Sequence, residues 1–198
     1  HDWLLNNVPM DKEILRKWLK CGFVFKGEVF PTEEGTPQGG IISPTLANIA
    51  LNGIEKALSG FKQTTRNGVA YNPKVSLVRY ADDFIITGAS KEILENEVKP
   101  ILVEFFQERE LELSEEKTVI THVSEGFDFL GFNIRKYNDT LLTKPSKKSV
   151  KKLTEKVKVL LKSHRAVKQE EILMMLNPIL TGWSMYYRYC AASETFRK

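Results

Sequence analysis

Two adjacent carboxylates, Asp82 and Asp83, are the side chains of this 198-residue chain best suited to chemistry. They lie between two short runs rich in β-branched and aromatic residues, 75–80 and 84–87, which predicts a hairpin with the acidic pair at or beside its tip. Adjacent negative charges repel each other, and a divalent cation would neutralise them. Mg²⁺ suits such oxygen ligands, since it takes one or two protein carboxylates and leaves room for substrate phosphates. The alternative is a solvated Asp-Asp turn.

The charge of the chain changes sign along its length. Residues 1–140 carry a net charge of −5 and residues 141–198 a net charge of +9, which together give the overall +4. A strongly basic segment after an acidic one indicates contact with a polyanion. The alternative is a lysine-rich helix face in contact with water only. The side chains that we expect to bind nucleic-acid phosphates are Lys144, Lys147, Lys148, Lys151 and Lys152.

Composition excludes several classes of protein. The chain is 42% hydrophobic, which is enough for a buried core, but no apolar run reaches the roughly 20 residues of a membrane span. Cys21 and Cys190 lie far apart without a CxxC partner, which suits a reducing compartment. The three histidines fit no metal-ligand spacing.

The elements that must position these residues change in kind near residue 143. Strands and helices alternate up to that point and helices alone follow, which predicts an α+β domain followed by an all-α module. Apolar periodicity predicts helices over 9–20, 43–58, 91–112 and 169–176, and others starting at 149 and near 178. Strands are expected over 23–25, 29–30, 117–121 and 127–134.

Several spaced motifs carry a family resemblance. In chain order they are Gly35–Gly40 with Ser43-Pro44, Tyr80-Ala81-Asp82-Asp83, Lys117-Thr118, Phe129–Phe132, and Leu176–Trp183 with Tyr186-Tyr187-Arg188. The chain resembles group II intron-encoded maturase reverse transcriptases, and the last motif resembles their X or thumb domain. The resemblance implies a right-hand polymerase palm, an antiparallel sheet packed on helices, over residues 1–143. A basic helical thumb is implied over residues 144–198.

The resemblance assigns the acidic hairpin to catalysis of nucleotidyl transfer with an RNA template. Asp82 and Asp83 are implied to hold Mg²⁺, with Mn²⁺ as a substitute, in a two-metal arrangement. Tyr80 is implied to pack beside the primer terminus, with a plain core tyrosine as the alternative.

Other motifs are implied to contact substrate. Lys117 is expected near the departing pyrophosphate, with an exposed strand-end lysine as the alternative. Gly131 would let the backbone approach the primer strand. Trp183, Tyr186 and Tyr187 are interpreted as thumb core rather than as base-stacking residues. The loop expected beneath the incoming nucleotide and template base, with a structural tight turn as the alternative, contains Pro37, Gln38 and Gly39.

Two departures from the family pattern qualify these expectations. One is that the C-terminal DNA-binding and endonuclease modules of many members are not found in this sequence, and the other concerns the segment before its first residue. The fingers blocks and the first catalytic aspartate of the family are expected upstream of His1, and Asp2 sits too late in the motif to replace that aspartate. We therefore expect a palm-plus-thumb fragment, truncated within the thumb, that is inactive or very weak alone.

The resemblance also implies partners and a location. Expected partners are template RNA, a DNA primer, dNTP and group II intron RNA, with no membrane, in a bacterial cytoplasm. An exposed palm edge could allow self-association. Two alternatives to a reverse transcriptase remain open, namely a non-catalytic splicing-maturase fragment that binds intron RNA and, less favoured, an RNA-dependent RNA polymerase.

Overall fold

The computed structural model describes residues 1–33, 35–36, 40–62, 64–66 and 69–197. The chain divides into two compact units, His1–Ile120 and Thr121–Lys198. The last sheet of the chain belongs to the second unit, so this division differs from the predicted domain division after residue 143. The division into a palm over residues 1–143 and a thumb over residues 144–198 stays a prediction.

The first unit combines helices with antiparallel two-stranded sheets, which confirms the α+β class. Its helices are α1 (Asp2–Asn7), α2 (Lys12–Leu19), α3 (Ser43–Leu51), α4 (Ile54–Ala57), a 3₁₀ turn (Leu58–Lys62), α5 (Lys91–Ile93), a π segment (Leu94–Val98) and α6 (Lys99–Gln107). Its strands pair in chain order as β1 (Phe23–Phe25) with β2 (Glu28–Phe30), β3 (Thr64–Arg66) with β4 (Val69–Tyr71), and β5 (Ser76–Tyr80) with β6 (Asp83–Thr87).

The main core of this unit lies between the helical stretch from Lys91 to Gln107 and the α3–α4 region. Ser90 caps this stretch by accepting a hydrogen bond from the Ile93 amide. The π segment ends at Val98, two residues before Pro100, whose ring would clash with a carbonyl one turn earlier in a regular helix. The buried residues of this core are Leu51, Ile54, Leu58, Phe61, Ile93, Val98, Leu102, Phe105 and Phe106.

Two predictions for the first unit are wrong in detail. The helix expected over 43–58 ends at Leu51, because Gly53 adopts a left-handed φ of +101° before α4 begins. Residues 117–121 do not form the expected strand. The amides of Lys117 and Thr118 both donate to the carbonyl of Ser114, which makes a turn instead.

The second unit is a three-stranded antiparallel sheet followed by helices. Its elements are β7 (Phe127–Phe129), β8 (Phe132–Tyr137), β9 (Thr140–Pro145), α7 (Lys147–Ser163), α8 (Gln169–Tyr187) and α9 (Ser193–Phe196). The strand expected over 127–134 is two strands, joined by a tight turn at Leu130-Gly131. A two-residue turn at Asn138-Asp139 joins β8 to β9.

Helix α8 differs from the two helices predicted for residues 169–176 and 178 onward. It is continuous across Pro178, although proline cannot donate the hydrogen bond expected one turn back. Residues 173–175 are exposed, so water can bond the carbonyls that Pro178 leaves without a donor.

Among the residues that the structure describes, no helix combines the length and apolar character needed to cross a membrane.

Candidate metal site and nucleic-acid interface

The predicted acidic hairpin is present and has a two-residue turn. Strands β5 and β6 pair in register from Ser76 with Thr87 to Tyr80 with Asp83, which leaves Ala81 and Asp82 as the turn. Asp82 therefore sits on the tip, and Asp83 is the first residue of the returning strand. Both carboxylates are exposed, as ligands for an incoming metal–phosphate complex would have to be.

The turn has an unusual backbone. Ala81 has a φ of +54°, whereas Asp82 is not in the left-handed region. This sign pattern belongs to a type II′ turn, whose first central position normally holds glycine. Alanine there stores strain of roughly 1–3 kcal/mol, and such strain is frequent at functional turns.

The two faces of the hairpin differ. Leu77, Phe84 and Ile86 pack against the main core of the first unit. The opposite face carries Tyr80 beside Asp83, and Tyr80 is 65% exposed. The alternative that Tyr80 is a core residue is therefore wrong in this structure.

An arginine that we did not predict as a site residue holds the turn from the core side. Arg79 Nη1 donates hydrogen bonds of 3.1 Å to the Ala81 carbonyl and of 3.1 Å to Asn48 Oδ1 on α3. Its Nε lies 3.7 Å from Glu55 Oε1 on α4. Side chains alternate between the two faces of a strand, so Arg79 lies on the same face as Leu77, which packs against the core. An unpaired charge on that face would be costly, and this is the signal in the sequence that indicates a partner for Arg79.

The donor set fits a divalent cation only in part. Asp82 and Asp83 supply the hard oxygen atoms that Mg²⁺ prefers. Within the described ranges, no group of three or more histidine, cysteine, aspartate or glutamate residues could hold a metal ion. A metal site at this turn would therefore rest on two protein carboxylates, and binding of Mg²⁺ by Asp82 and Asp83 stays a prediction.

Of the other residues predicted to contact substrate in the first unit, the structure describes Lys117 but not the loop residues. Pro37, Gln38 and Gly39 lie outside the described residues. Lys117 is exposed in the turn after Ser114, and no hydrogen bond or ion pair of the described chain joins it to the acidic hairpin.

Gly131 has a structural reason to be glycine. Its φ is +82°, and a Cβ atom there would lie 2.6 Å from the Tyr187 hydroxyl oxygen. That hydroxyl donates to the Gly131 carbonyl at 3.0 Å and contacts Ser149 Oγ at 2.6 Å, while the Tyr186 hydroxyl donates to the Leu130 carbonyl at 2.8 Å. The turn between β7 and β8 is thus fixed by α8, and contact of Gly131 with a primer strand stays a prediction.

The aromatic side chains of α8 are packed as predicted, with one exception. Tyr187 is buried and contacts both Phe132 and Trp183, with ring centroids 4.9 and 4.5 Å apart. Tyr186 stacks on Phe132 at 5.1 Å but remains 53% exposed.

The predicted phosphate-binding lysines follow one another from β9 into α7. Lys144 is half-buried, and its ammonium lies 5.4 Å from the ring centroid of Tyr137. Four exposed lysines follow on the first turns of α7, and none of them pairs with a carboxylate of the described chain. They are Lys147, Lys148, Lys151 and Lys152.

These lysines lie where a helix disfavours positive charge. The N-terminus of α7 carries a partial positive charge, and its first turn contains no acidic residue. Ser146 satisfies one amide by accepting from Ser149 N at 3.1 Å. Lysines placed against the helix dipole are suited to binding an anion.

Comparison with known proteins agrees with these motifs. Residues 3–134, more than half of the chain, match the family model described as reverse transcriptase (RNA-dependent DNA polymerase). The chain belongs to the reverse transcriptase family. In this reverse transcriptase family member, residues 150–198 also match the maturase-specific domain of group II introns. The resemblance to group II intron maturases is thereby confirmed.

Individual relatives of this reverse transcriptase family member are bacterial and fungal. It is 32% identical to Protein YkfC of Escherichia coli (strain K12) over 146 residues, which cover 61% of the chain and 38% of the relative. It is 28% identical to the group II intron-encoded protein LtrA of Lactococcus lactis subsp. cremoris over 209 residues, 79% of the chain and 35% of the relative. The putative COX1/OXI3 intron 2 protein of Saccharomyces cerevisiae is 27% identical over 184 residues, 67% of the chain and 21% of the relative. The chain thus spans well under half of the length of these relatives.

Proposed function

We propose that this chain supplies the palm and the thumb of an RNA-directed DNA polymerase of the group II intron maturase type. Its substrates would be an RNA template, a DNA primer and dNTP. The observation that carries the proposal is the hairpin turn between β5 and β6. Asp82 and Asp83 are exposed there, the backbone at Ala81 is strained, and Arg79 donates a hydrogen bond to the Ala81 carbonyl.

Both aspartates serve as metal ligands in this proposal. Asp82, on the turn, and Asp83, at the start of β6, would hold Mg²⁺ through their carboxylates. The metal, when bound, supplies the positive charge that offsets the negative charge developing on phosphate and 3′-oxygen atoms. The exposed Tyr80 lies across the hairpin from Asp83, where its ring could support the primer terminus.

Two further substrate contacts belong to the same proposal. Lys117 would stabilise the negative charge of the departing pyrophosphate. Pro37, Gln38 and Gly39 would underlie the incoming nucleotide, and Gly131 would approach the primer strand. Self-association through an exposed palm edge remains a prediction.

The basic stretch from Lys144 to Lys152 supports binding of template–primer duplex or intron RNA. Four of its five lysines are exposed without a carboxylate partner in the described chain, so their charge is available to phosphates. Phosphate contacts of this kind fix position without selecting sequence. The same observation favours the second candidate function, a non-catalytic fragment that binds intron RNA.

Primer extension in the longest reading frame that contains these 198 residues tests the proposal. Asp82→Asn and Asp83→Asn should each lower Mg²⁺-dependent DNA synthesis by at least about 100-fold, since even indirect partners of metal ligands are worth roughly 10- to 100-fold. RNA affinity should stay within about twofold, because phosphate contacts from the lysines are unchanged.

Asp139→Asn is the matched control. Asp139 also occupies a two-residue hairpin turn and is exposed, but it lies between β8 and β9 and pairs with Lys136 at 3.7 Å. Its variant should synthesise DNA at the wild-type rate. Absence of synthesis by the unaltered protein, together with tight RNA binding, would favour the non-catalytic alternative.

A further inference from the structure

The Ala81 carbonyl has no backbone partner in the hairpin. In a two-residue turn the flanking residues, here Tyr80 and Asp83, bond to each other, and the central carbonyl points away from the ladder. Types I′ and II′ differ by rotation of the central peptide, which turns this oxygen to the opposite side. The side on which the oxygen lies therefore defines the turn that carries Asp82.

Arg79 provides the missing donor from the core-facing side. Its side chain is only 16% exposed, and Nη1 lies 3.1 Å from the Ala81 oxygen. The same nitrogen donates to Asn48 on α3 at 3.1 Å, so the donor is itself held in place. A charged donor makes a stronger hydrogen bond than a neutral one.

The contact of Arg79 with Glu55 is weaker than its contact with the turn. The Nε–Oε1 distance of 3.7 Å is too long for a hydrogen bond, and the Glu55 side chain is 56% exposed. Surface ion pairs of this kind contribute little to stability. The geometry thus favours orientation of the turn, rather than an ion pair, as the purpose of the buried guanidinium.

We propose that Arg79 is a positioning residue that holds the Ala81–Asp82 peptide in the type II′ orientation and thereby orients the Asp82 carboxylate. The effect on the turn is independent of the proposed polymerase function, and only its catalytic consequence rests on that function. Because Asn48 lies on the helix that follows the glycine-containing loop ending at Gly40, Arg79 also links the turn to that helix.

Nuclear magnetic resonance of the 198-residue chain tests the effect on the turn. The amide protons of Ala81 and Asp82 are close together in a type I′ turn and far apart in type II′, so the Overhauser effect between them should be weak in the wild type. Arg79→Met keeps the aliphatic packing and removes the donor. It should shift the ratio of the two turns about tenfold toward type I′, which corresponds to about 1.4 kcal/mol.

Two further variants make the test specific. Arg79→Lys keeps the charge beside Glu55, but its nitrogen is one bond short of Nη1, so the Overhauser effect should also rise. Glu55→Gln removes the ion pair and leaves the donor to Ala81, so it should keep the wild-type signal. A folded Arg79→Met or Arg79→Lys chain with the wild-type Overhauser effect would overturn the proposal.

The catalytic consequence is measured separately, by primer extension in the longest reading frame. Arg79→Met should lower kcat about tenfold while the KM for dNTP changes by less than about threefold, since the change affects orientation rather than binding. An Arg79→Met variant with an altered turn and an unchanged kcat would contradict the proposed effect of Arg79 on catalysis. Lack of synthesis by the wild type would instead refute the proposed function and leave the result on the turn intact.

Discussion

Replacing Gly131 by alanine should destabilise the second unit strongly, because two independent costs fall on one position. Alanine at a φ of +82° costs roughly 1–2 kcal/mol in backbone strain. Its Cβ would also lie 2.6 Å from the Tyr187 hydroxyl oxygen, so the buried ring must move. That movement weakens the hydroxyl contacts with the Gly131 carbonyl and with Ser149, each worth about 0.5–1.5 kcal/mol. We expect a total loss of about 3 kcal/mol.

The double variant with Tyr187→Phe separates the two costs. Without the hydroxyl, the nearest ring atom to the added Cβ is Cζ at 3.8 Å, an ordinary van der Waals contact. In the Tyr187→Phe background, Gly131→Ala should therefore cost only the strain of roughly 1–2 kcal/mol. The double-mutant cycle should show a coupling energy of about 1–2 kcal/mol, within the range usual for contacting residues.

Urea unfolding followed through Trp183 measures these energies. Trp183 contacts the Tyr187 ring and is the tryptophan of the second unit, so phenylalanine at Trp3 and Trp18 leaves a fluorescence signal from that unit alone. Variants with equal urea dependence can be compared directly. Additive effects, within about 0.5 kcal/mol, would refute the claim that the hydroxyl is what excludes a side chain at Gly131.

Three further predictions concern the charge, the turn and the thiols. Alanine at Lys147, Lys148, Lys151 and Lys152, the four lysines on the first turns of α7, should reduce the dependence of log K on log salt for RNA binding by about 3, as measured by fluorescence anisotropy, and an unchanged slope would reject these contacts. Ala81→Gly should raise the free energy of unfolding of the first unit by about 1 kcal/mol in thermal unfolding, because glycine removes the strain at the turn. No gain in this free energy would mean that the turn is unstrained. Burial raises the pKa of the Cys190 thiol, so its alkylation should be slower than that of the exposed Cys21 and should accelerate only at higher pH; equal rates at all pH values would contradict this.

The sequence predicted those parts of the fold that depend on local pattern. The acidic hairpin follows from the two runs rich in β-branched and aromatic residues on either side of Ala81-Asp82. These signals are contained in a few consecutive residues. Local sequence pattern was therefore sufficient to predict the hairpin that carries the carboxylates of Asp82 and Asp83.

Features that depend on distant contacts were missed or wrong. Pro178 suggested a helix boundary, but the flanking residues of α8 pack as one helix along a single stripe. The strand expected after Lys117 finds no partner, and a turn on Ser114 forms instead. One hydrogen bond of Arg79 reaches Asn48, 31 residues earlier in the chain, which no local pattern could indicate.

Binding of Mn²⁺ to the 198-residue chain tests the central claim, that Asp82 and Asp83 form a metal site, most directly. The paramagnetic ion broadens amide resonances near its binding site, even when binding is weak. We predict that resonances from Tyr80 to Asp83 broaden at lower Mn²⁺ concentration than any others, and that Asp82→Asn with Asp83→Asn abolishes this preference. Broadening that begins elsewhere, or that persists in the double variant, would contradict the assignment of these aspartates as metal ligands.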